Sequence, residues 1–174
     1  MSLPYYIVNA FTDLPFGGNP AAVMPLDQWL PDHQLQALAA QHNLSETAFF
    51  VPVAPSTFEL RWFTPVEEVP LCGHATLASA HVLLREMQVS CDALSFQTRY
   101  RGLLHAQPQA DRLALDLPAV ESEPHKVEAG LEAPLGARVG SAVRPSEEPW
   151  QRLYELEREN TVRALGPRNT AFAA

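Results

Sequence analysis

The chain has 174 residues, of which 47% are hydrophobic and 18% charged, and its formal net charge at pH 7 is −8. That composition builds a packed core rather than a disordered chain, and the length suits one full domain, or one domain and the beginning of another. No Lys/Arg run is present to neutralise phosphates, and no stretch approaches the roughly 20 apolar residues of a membrane-spanning helix. A small-metabolite ligand and a cytoplasmic location are therefore expected, with neither nucleic acid nor membrane as partner.

Tyr5 to Phe11 is rich in aromatic and β-branched residues and predicts a strand, followed by a loop through Phe16-Gly17-Gly18-Asn19-Pro20. Ala21 to Met24 predicts a second strand, paired with the first as a hairpin with a long connection. Between Pro31 and His42 the apolar residues Leu35, Leu38 and Ala39 recur at helical spacing, with Asn43 placed to stop the helix. Thr47 to Val53 reads as a buried strand. Thr57 to Phe63 alternates Phe58, Leu60 and Trp62 against Thr57, Glu59 and Arg61, so the two segments form an antiparallel pair. His74 to Arg85, small and apolar on most sides, predicts a largely buried helix. Ala93 to Thr98, Gly102 to Gln107 and Arg112 to Asp116 are three short strands spaced by turn signals. Beyond Leu117 prolines and glutamates accumulate and periodicity weakens, which sets a first domain at 1–117 and a linker leading into further structure over 118–174. Trp150 to Leu165 reads either as one helix or as a strand near 152–156 followed by a helix over 159–165.

The chemistry-bearing residues fall into three groups. Glu46 stands where a helix ends and an apolar strand begins. Partial burial there raises a carboxyl pKa and fits it to exchange a proton near neutral pH, although a glutamate that only solvates the strand end has the same sequence. Cys72-Gly73-His74-Ala75-Thr76 stands at the start of the buried helix, where unpaired backbone N–H groups and the helix dipole can receive a substrate carboxylate. Gly73 would let that ligand approach the backbone, His74 suits acid or base work, and Cys72 would gain thiolate character; a helix start with a buried thiol and a satisfied histidine is the plainer alternative. Cys72 and His74 could reach one zinc ion but two further ligands are not evident, so no metal site is expected. Asn19 offers an amide on a flexible turn. Cys72 and Cys91 are too few for a disulfide framework and read as free thiols.

Taken together, Ala10-Phe11-Thr12, Phe16 to Pro20, Asn43 to Phe49 and Phe63-Thr64-Pro65 through Pro70 to Thr76 resemble the PhzF, or phenazine biosynthesis-like, isomerase family. The resemblance is dense from about residue 4 to 117. It implies an α+β, diaminopimelate epimerase-like fold in which a mixed, barrel-like sheet wraps around a central helix, here His74 to Arg85, with a second domain that is incomplete. It also favours the strand-then-helix reading of the last segment. Carried over by motif, Glu46 resembles the acid/base carboxylate and His74 its neighbouring site histidine, Asn19 faces the substrate, and Gly73 with His74 forms the backbone anion cradle; Cys72, Ala75 and Thr76 are expected to join Asn19 and Gly73 in binding the substrate.

The implied activity is proton transfer at carbon of a small carboxylate-bearing metabolite, without a cofactor. Related epimerases use paired thiols, and Cys72 falls where one of them stands, which keeps a thiol-dependent epimerase or racemase open as an alternative. The family's second domain supplies an aspartate in an Asp-Pro-x-Thr-Gly-Ser type motif that this sequence does not contain. An inactive fragment, or a binding or dimerisation domain, is therefore a further alternative, and the uncovered sheet edges suggest a homodimer.

Overall fold

The computed structural model describes residues 3–146 and 151–165, so Trp150 of the last predicted segment lies outside the described residues. The chain divides into two compact units, 1–118 and 119–174.

In the first unit, β1 (Tyr6–Ala10), β2 (Asn19–Pro25), β3 (Glu46–Ala54), β4 (Thr57–Phe63), β6 (Leu94–Thr98), β7 (Gly102–Gln109) and β8 (Arg112–Asp116) pair in that spatial order, and the two-residue β5 (Glu68–Val69) pairs with β4. The β1–β2, β3–β4, β6–β7 and β7–β8 pairs are antiparallel, as adjacent segments with short connections permit. The β2–β3 and β4–β6 pairs are parallel and need crossovers. The first crossover carries α1 (Asp32–His42) and the second carries α2 (Gly73–His81), and the two helices cover opposite faces of one sheet.

Coverage on both faces explains why β3 reads as a continuous apolar run. Its alternation assigns Ala48 and Phe50 to the core around α2, and Phe49 and Val51 to the smaller core around α1. Around α2 the sheet curls into a half-barrel whose fully buried lining includes Val23, Leu60, Trp62, Leu94, Phe96 and Leu104. Edge-to-face contacts such as Phe50 with Phe58, 5.5 Å between ring centroids, add directional packing to the burial. Between the outer strands β1 and β8 the half-barrel stays open over a groove of about 1190 Å³, floored by α2 residues Leu77, Ala78 and His81.

Both helices have residue-level causes for their ends. Asn43 takes the left-handed conformation (φ 51°) and returns its N–H to the Ala39 carbonyl, which stops α1 where the sequence predicts. Within α2, Thr76 and Ser79 donate their hydroxyls to the carbonyls four residues back, so a helix buried on most sides carries them without an orphaned donor. The helix predicted over 74–85 does not keep α geometry to its end: Val82–Glu86 form a wider π turn. Three consecutive apolar residues, Val82, Leu83 and Leu84, pack against the same core, and an ordinary 3.6-residue turn would fan them apart.

In the second unit, β9 (Ser122–His125), β10 (Val139–Pro145) and β11 (Leu153–Leu156) form an antiparallel sheet with β10 central, accompanied by the short helices α3 (Glu132–Leu135) and α4 (Glu159–Arg163). The proline-rich stretch after Leu117 thus holds strands that its weak periodicity does not announce, and the last described segment is strand then helix. Tyr154 donates to Glu128 at 2.6 Å, and Arg144 pairs with Glu123 at 3.0 Å. No helix among the described residues is long and apolar enough to cross a membrane.

Candidate active site

Register brings the sequence-predicted residues together. Asn19, Ala21 and Val23 share one face of β2, Glu46 pairs with Ala21 across the parallel β2–β3 ladder, and that face is the one covered by α2. Glu46 therefore points from the first position of β3 toward the N-terminal end of α2. His74, in the first turn of that helix, brings Nε2 to 3.3 Å from Glu46 Oε2. The carboxylate side chain is 20% exposed and the imidazole 9%. Glu46 Oε2 is buried, yet no hydrogen-bond partner among the described residues is aligned to it.

Ser45 joins the group, and only the fold reveals it as a hub. Its hydroxyl lies 3.2 Å from Asn19 Oδ1, 3.3 Å from the Pro20 carbonyl and 3.4 Å from His74 Nε2. The sequence signal was its place beside Glu46 in Asn43-Leu44-Ser45-Glu46, without any indication of what it would touch.

Cys72 Sγ stands 3.3 Å from His74 Nδ1. Burial pushes the thiol up to about 12; the Ala75 and His74 amides pull the other way, and the nearby Glu46 charge adds to the rise. Cys72 is thus a protonated thiol at neutral pH, able to donate to Nδ1. That donation leaves the imidazole proton on Nε2, the nitrogen facing Glu46, Ser45 and the Pro20 carbonyl. Burial also holds His74 below the usual histidine range, opposed by the Glu46 charge and the Pro20 carbonyl. The histidine is accordingly a neutral donor beside a carboxylate.

The remaining predicted residues differ in what they leave free. Gly73 is half-buried, and a Cβ built there would meet only Leu117 Cδ1, at 3.6 Å. Packing therefore leaves the position open on its outer side. Ala75 and Thr76 are fully buried, and the Thr76 amide and hydroxyl both donate to the Cys72 carbonyl, at 3.2 and 2.6 Å. Ahead of Thr76 at this end of α2 the His74 and Ala75 amides face the Cys72 sulfur, and Gly73 lies at the open position. Sequence spacing shows two metal-capable donors here, and the fold adds a third: ligand atoms of Glu46, Cys72 and His74 lie within 4.8 Å of one another. A cation placed among them would have to displace the thiol proton and the Nδ1 contact it makes.

Asn19 is delivered by a turn that only glycine fits. Gly18 has φ +72°, and a Cβ there would lie 2.2 Å from the Ala10 carbonyl oxygen.

A curled, mixed sheet around a central helix, with a carboxylate and a histidine at the helix start, defines a diaminopimelate epimerase-like α+β protein. The chain belongs to the phenazine biosynthesis-like family: the family described as "Phenazine biosynthesis-like protein" matches residues 8–142. An uncharacterised isomerase of Pseudomonas aeruginosa is 45% identical over 167 residues, covering 96% of this chain and 62% of the relative. The mouse phenazine biosynthesis-like domain-containing protein 1 is 43% identical over 166 residues, covering 90% of this chain and 57% of its own length. Among solved structures, a PhzF family protein of Enterococcus faecalis superposes with a TM-score of 0.87 at 40% identity, covering all of this chain and 65% of that one. A predicted epimerase of Pseudomonas aeruginosa shares the fold at 19% identity, with a TM-score of 0.70. The chain spans about three-fifths of the length of these curated relatives.

Proposed function

We propose that this chain carries one wall of the active site of a cofactor-independent isomerase, in which Glu46 takes a proton from carbon of a small carboxylate-bearing metabolite and returns it. The observation that carries the reading is Glu46 Oε2, buried, without an aligned hydrogen-bond partner among the described residues, and 3.3 Å from a neutral histidine. A carboxylate left in that state is poised for a proton that the protein does not supply. It would accept a proton from a carbon next to the substrate's carboxylate or double bond. The electron pair left behind delocalises into that π system, and the proton is delivered to another position or face, so atoms and charge balance without an oxidant or a second reactant.

The developing negative charge is met by the Gly73 backbone and the dipole at the start of α2, with Gly73 giving close access. His74 keeps its Nε2 face beside the carboxylate, 3.3 Å away without an aligned hydrogen bond, and Asn19, fixed by Ser45, supplies a polar contact to the substrate. The relatives named as isomerases support this class of reaction. Cys72 is disfavoured as the base, since burial keeps its thiol protonated and a thiol-dependent epimerase needs a thiolate.

Incubating the chain in deuterated solvent with a panel of small carboxylates bearing an acidic C–H, and following substrate mass, tests the proposal. Incorporation into one chemical class supports it. No incorporation across the panel favours the second reading, a binding or dimerisation domain without turnover. Homodimerisation belongs to the same proposal. The outer edges of β1 and β8 flank an open groove, and Ile7 and Phe11 stand exposed on and just after β1. A monomer in sedimentation at micromolar concentration would count against it.

A further inference from the structure

The sheet face opposite the candidate site holds a set of charges that the proton transfer leaves unused. On β4, Phe58, Leu60 and Trp62 face α2, so Arg61 faces α1. Its guanidinium lies 5.2 Å from the Trp29 ring centroid and 5.1 Å from that of Phe63. It donates through Nε to Glu68 Oε1 at 2.7 Å and through Nη2 to Glu68 Oε2 at 2.8 Å, a two-bond fork, and through Nη1 to Asp32 Oδ1 at 2.9 Å. Arg99 adds a contact to Glu68 Oε2 at 3.0 Å. Arg61 and Glu68 are mostly buried, with side chains 12% and 14% exposed, whereas Asp32 is exposed.

Glu68 belongs to β5, a strand of only two residues paired through Phe63↔Glu68 and Trp62↔Val69. So short a ladder holds its strand weakly. The turn before it is closed by Thr64, whose hydroxyl accepts from the Val66 and Glu67 amides. After it the chain passes through Pro70 and Leu71 directly into Cys72, Gly73 and His74. The placement of α2's first turn opposite Glu46 therefore depends on where β5 sits, and the strongest side-chain link fixing β5 is the fork to Glu68.

We infer that Arg61 is a positioning residue for the candidate site, acting from the far face of the sheet through Glu68 and β5 to set the start of α2 against Glu46. The inference rests on the proposed role of that site. Arg61 also ties α1 to the sheet through Asp32, so a purely structural role predicts that breaking either link has the same effect, whereas positioning predicts that only the Glu68 link matters.

The test uses the chain with Cys91→Ser, leaving Cys72 as the single thiol, and compares Glu68→Gln with Asp32→Asn. Expected for Glu68→Gln is a rise of about ten-fold or more in the rate at which a small maleimide modifies native Cys72. Amide exchange over residues 73–77 should quicken, while exchange in the β3 core at 48–51 stays as in the parent. Asp32→Asn should leave all three readings within about two-fold. Arg61→Lys, which keeps the charge but not the fork, should follow Glu68→Gln and guards against a variant that fails to fold. Equal effects from Asp32→Asn and Glu68→Gln, acceleration that extends equally to β3, or an unchanged Cys72 rate would each overturn the inference. None of these readings requires turnover. A failure of Glu46→Gln to alter deuterium incorporation would sink the proton-transfer proposal while leaving them intact.

Discussion

Replacing Gly73 by alanine separates what the fold needs at the start of α2 from what a ligand needs there. The backbone at Gly73 does not occupy the left-handed region, and the added methyl would meet nothing nearer than Leu117 Cδ1 at 3.6 Å, an ordinary contact. Alanine restricts the unfolded chain and favours the helix, so Gly73→Ala should stabilise the protein by about 0.4–1 kcal/mol. That corresponds to a rise of about 1–4 °C in Tm for a chain of this size. The same methyl projects into the open space above the first turn, where a carboxylate would approach the backbone, and displacing a bound group by about 1 Å reduces turnover on the order of 10²-fold. Urea unfolding followed by tryptophan fluorescence reads the first effect, and solvent deuterium incorporation reads the second. A variant that is less stable would show that glycine serves the fold. One that is more stable with unchanged incorporation would show that no ligand approaches at this position.

Further outcomes follow from the same geometry. Phe96 is fully buried on β6 and packs against Phe58, with centroids 6.4 Å apart; Phe96→Ala should lower unfolding free energy by about 3–5 kcal/mol in urea. Gly18→Ala adds both a positive-φ penalty and a clash with the Ala10 carbonyl, and should destabilise by more than about 1 kcal/mol while disturbing the Asn19 amide resonances. Burial holds His74 and His42 below the ordinary histidine value of 6.5. As pH falls below 6.5 the unfolded chain takes up these protons first, so their stabilisation is complete above 6.5 and is lost toward the lower folded values. The urea midpoint should therefore drop between pH 7.5 and 5.5, and a His42→Gln/His74→Gln variant should show a flatter profile. Equal slopes would contradict the assignment.

Most of the first unit was legible because its elements carry strong periodicity. The alternation of Phe58, Leu60 and Trp62 placed β4, Leu35 with Ala39 placed α1, and Asn43 marked its end. Along the strands and the site motif, the resemblance to a known family supplied what periodicity cannot. Glu46 and His74 lie far apart in sequence, and only the β2–β3 ladder and the second crossover bring them to 3.3 Å. Ser45 escaped notice because its role is to touch Asn19, Pro20 and His74 at once, a property of the assembled fold. Glu59 and Arg61 alternate with Phe58, Leu60 and Trp62 along the sequence, which does not say what covers their side; in the fold α1 does, and the charge of Arg61 is met by Glu68 and Asp32. The strands β9 and β10 were obscured because prolines and glutamates break the alternation, and the π turn at Val82–Glu86 has no local sequence signature beyond three apolar residues in a row.

The role of Glu46 is tested most directly by comparing solvent deuterium incorporation into a responsive carboxylate by the parent chain and by Glu46→Gln, which keeps the shape and removes the base. Loss of at least about 10²-fold, with an unchanged urea midpoint, is the expected result. Incorporation by Glu46→Gln at the parent rate would contradict it.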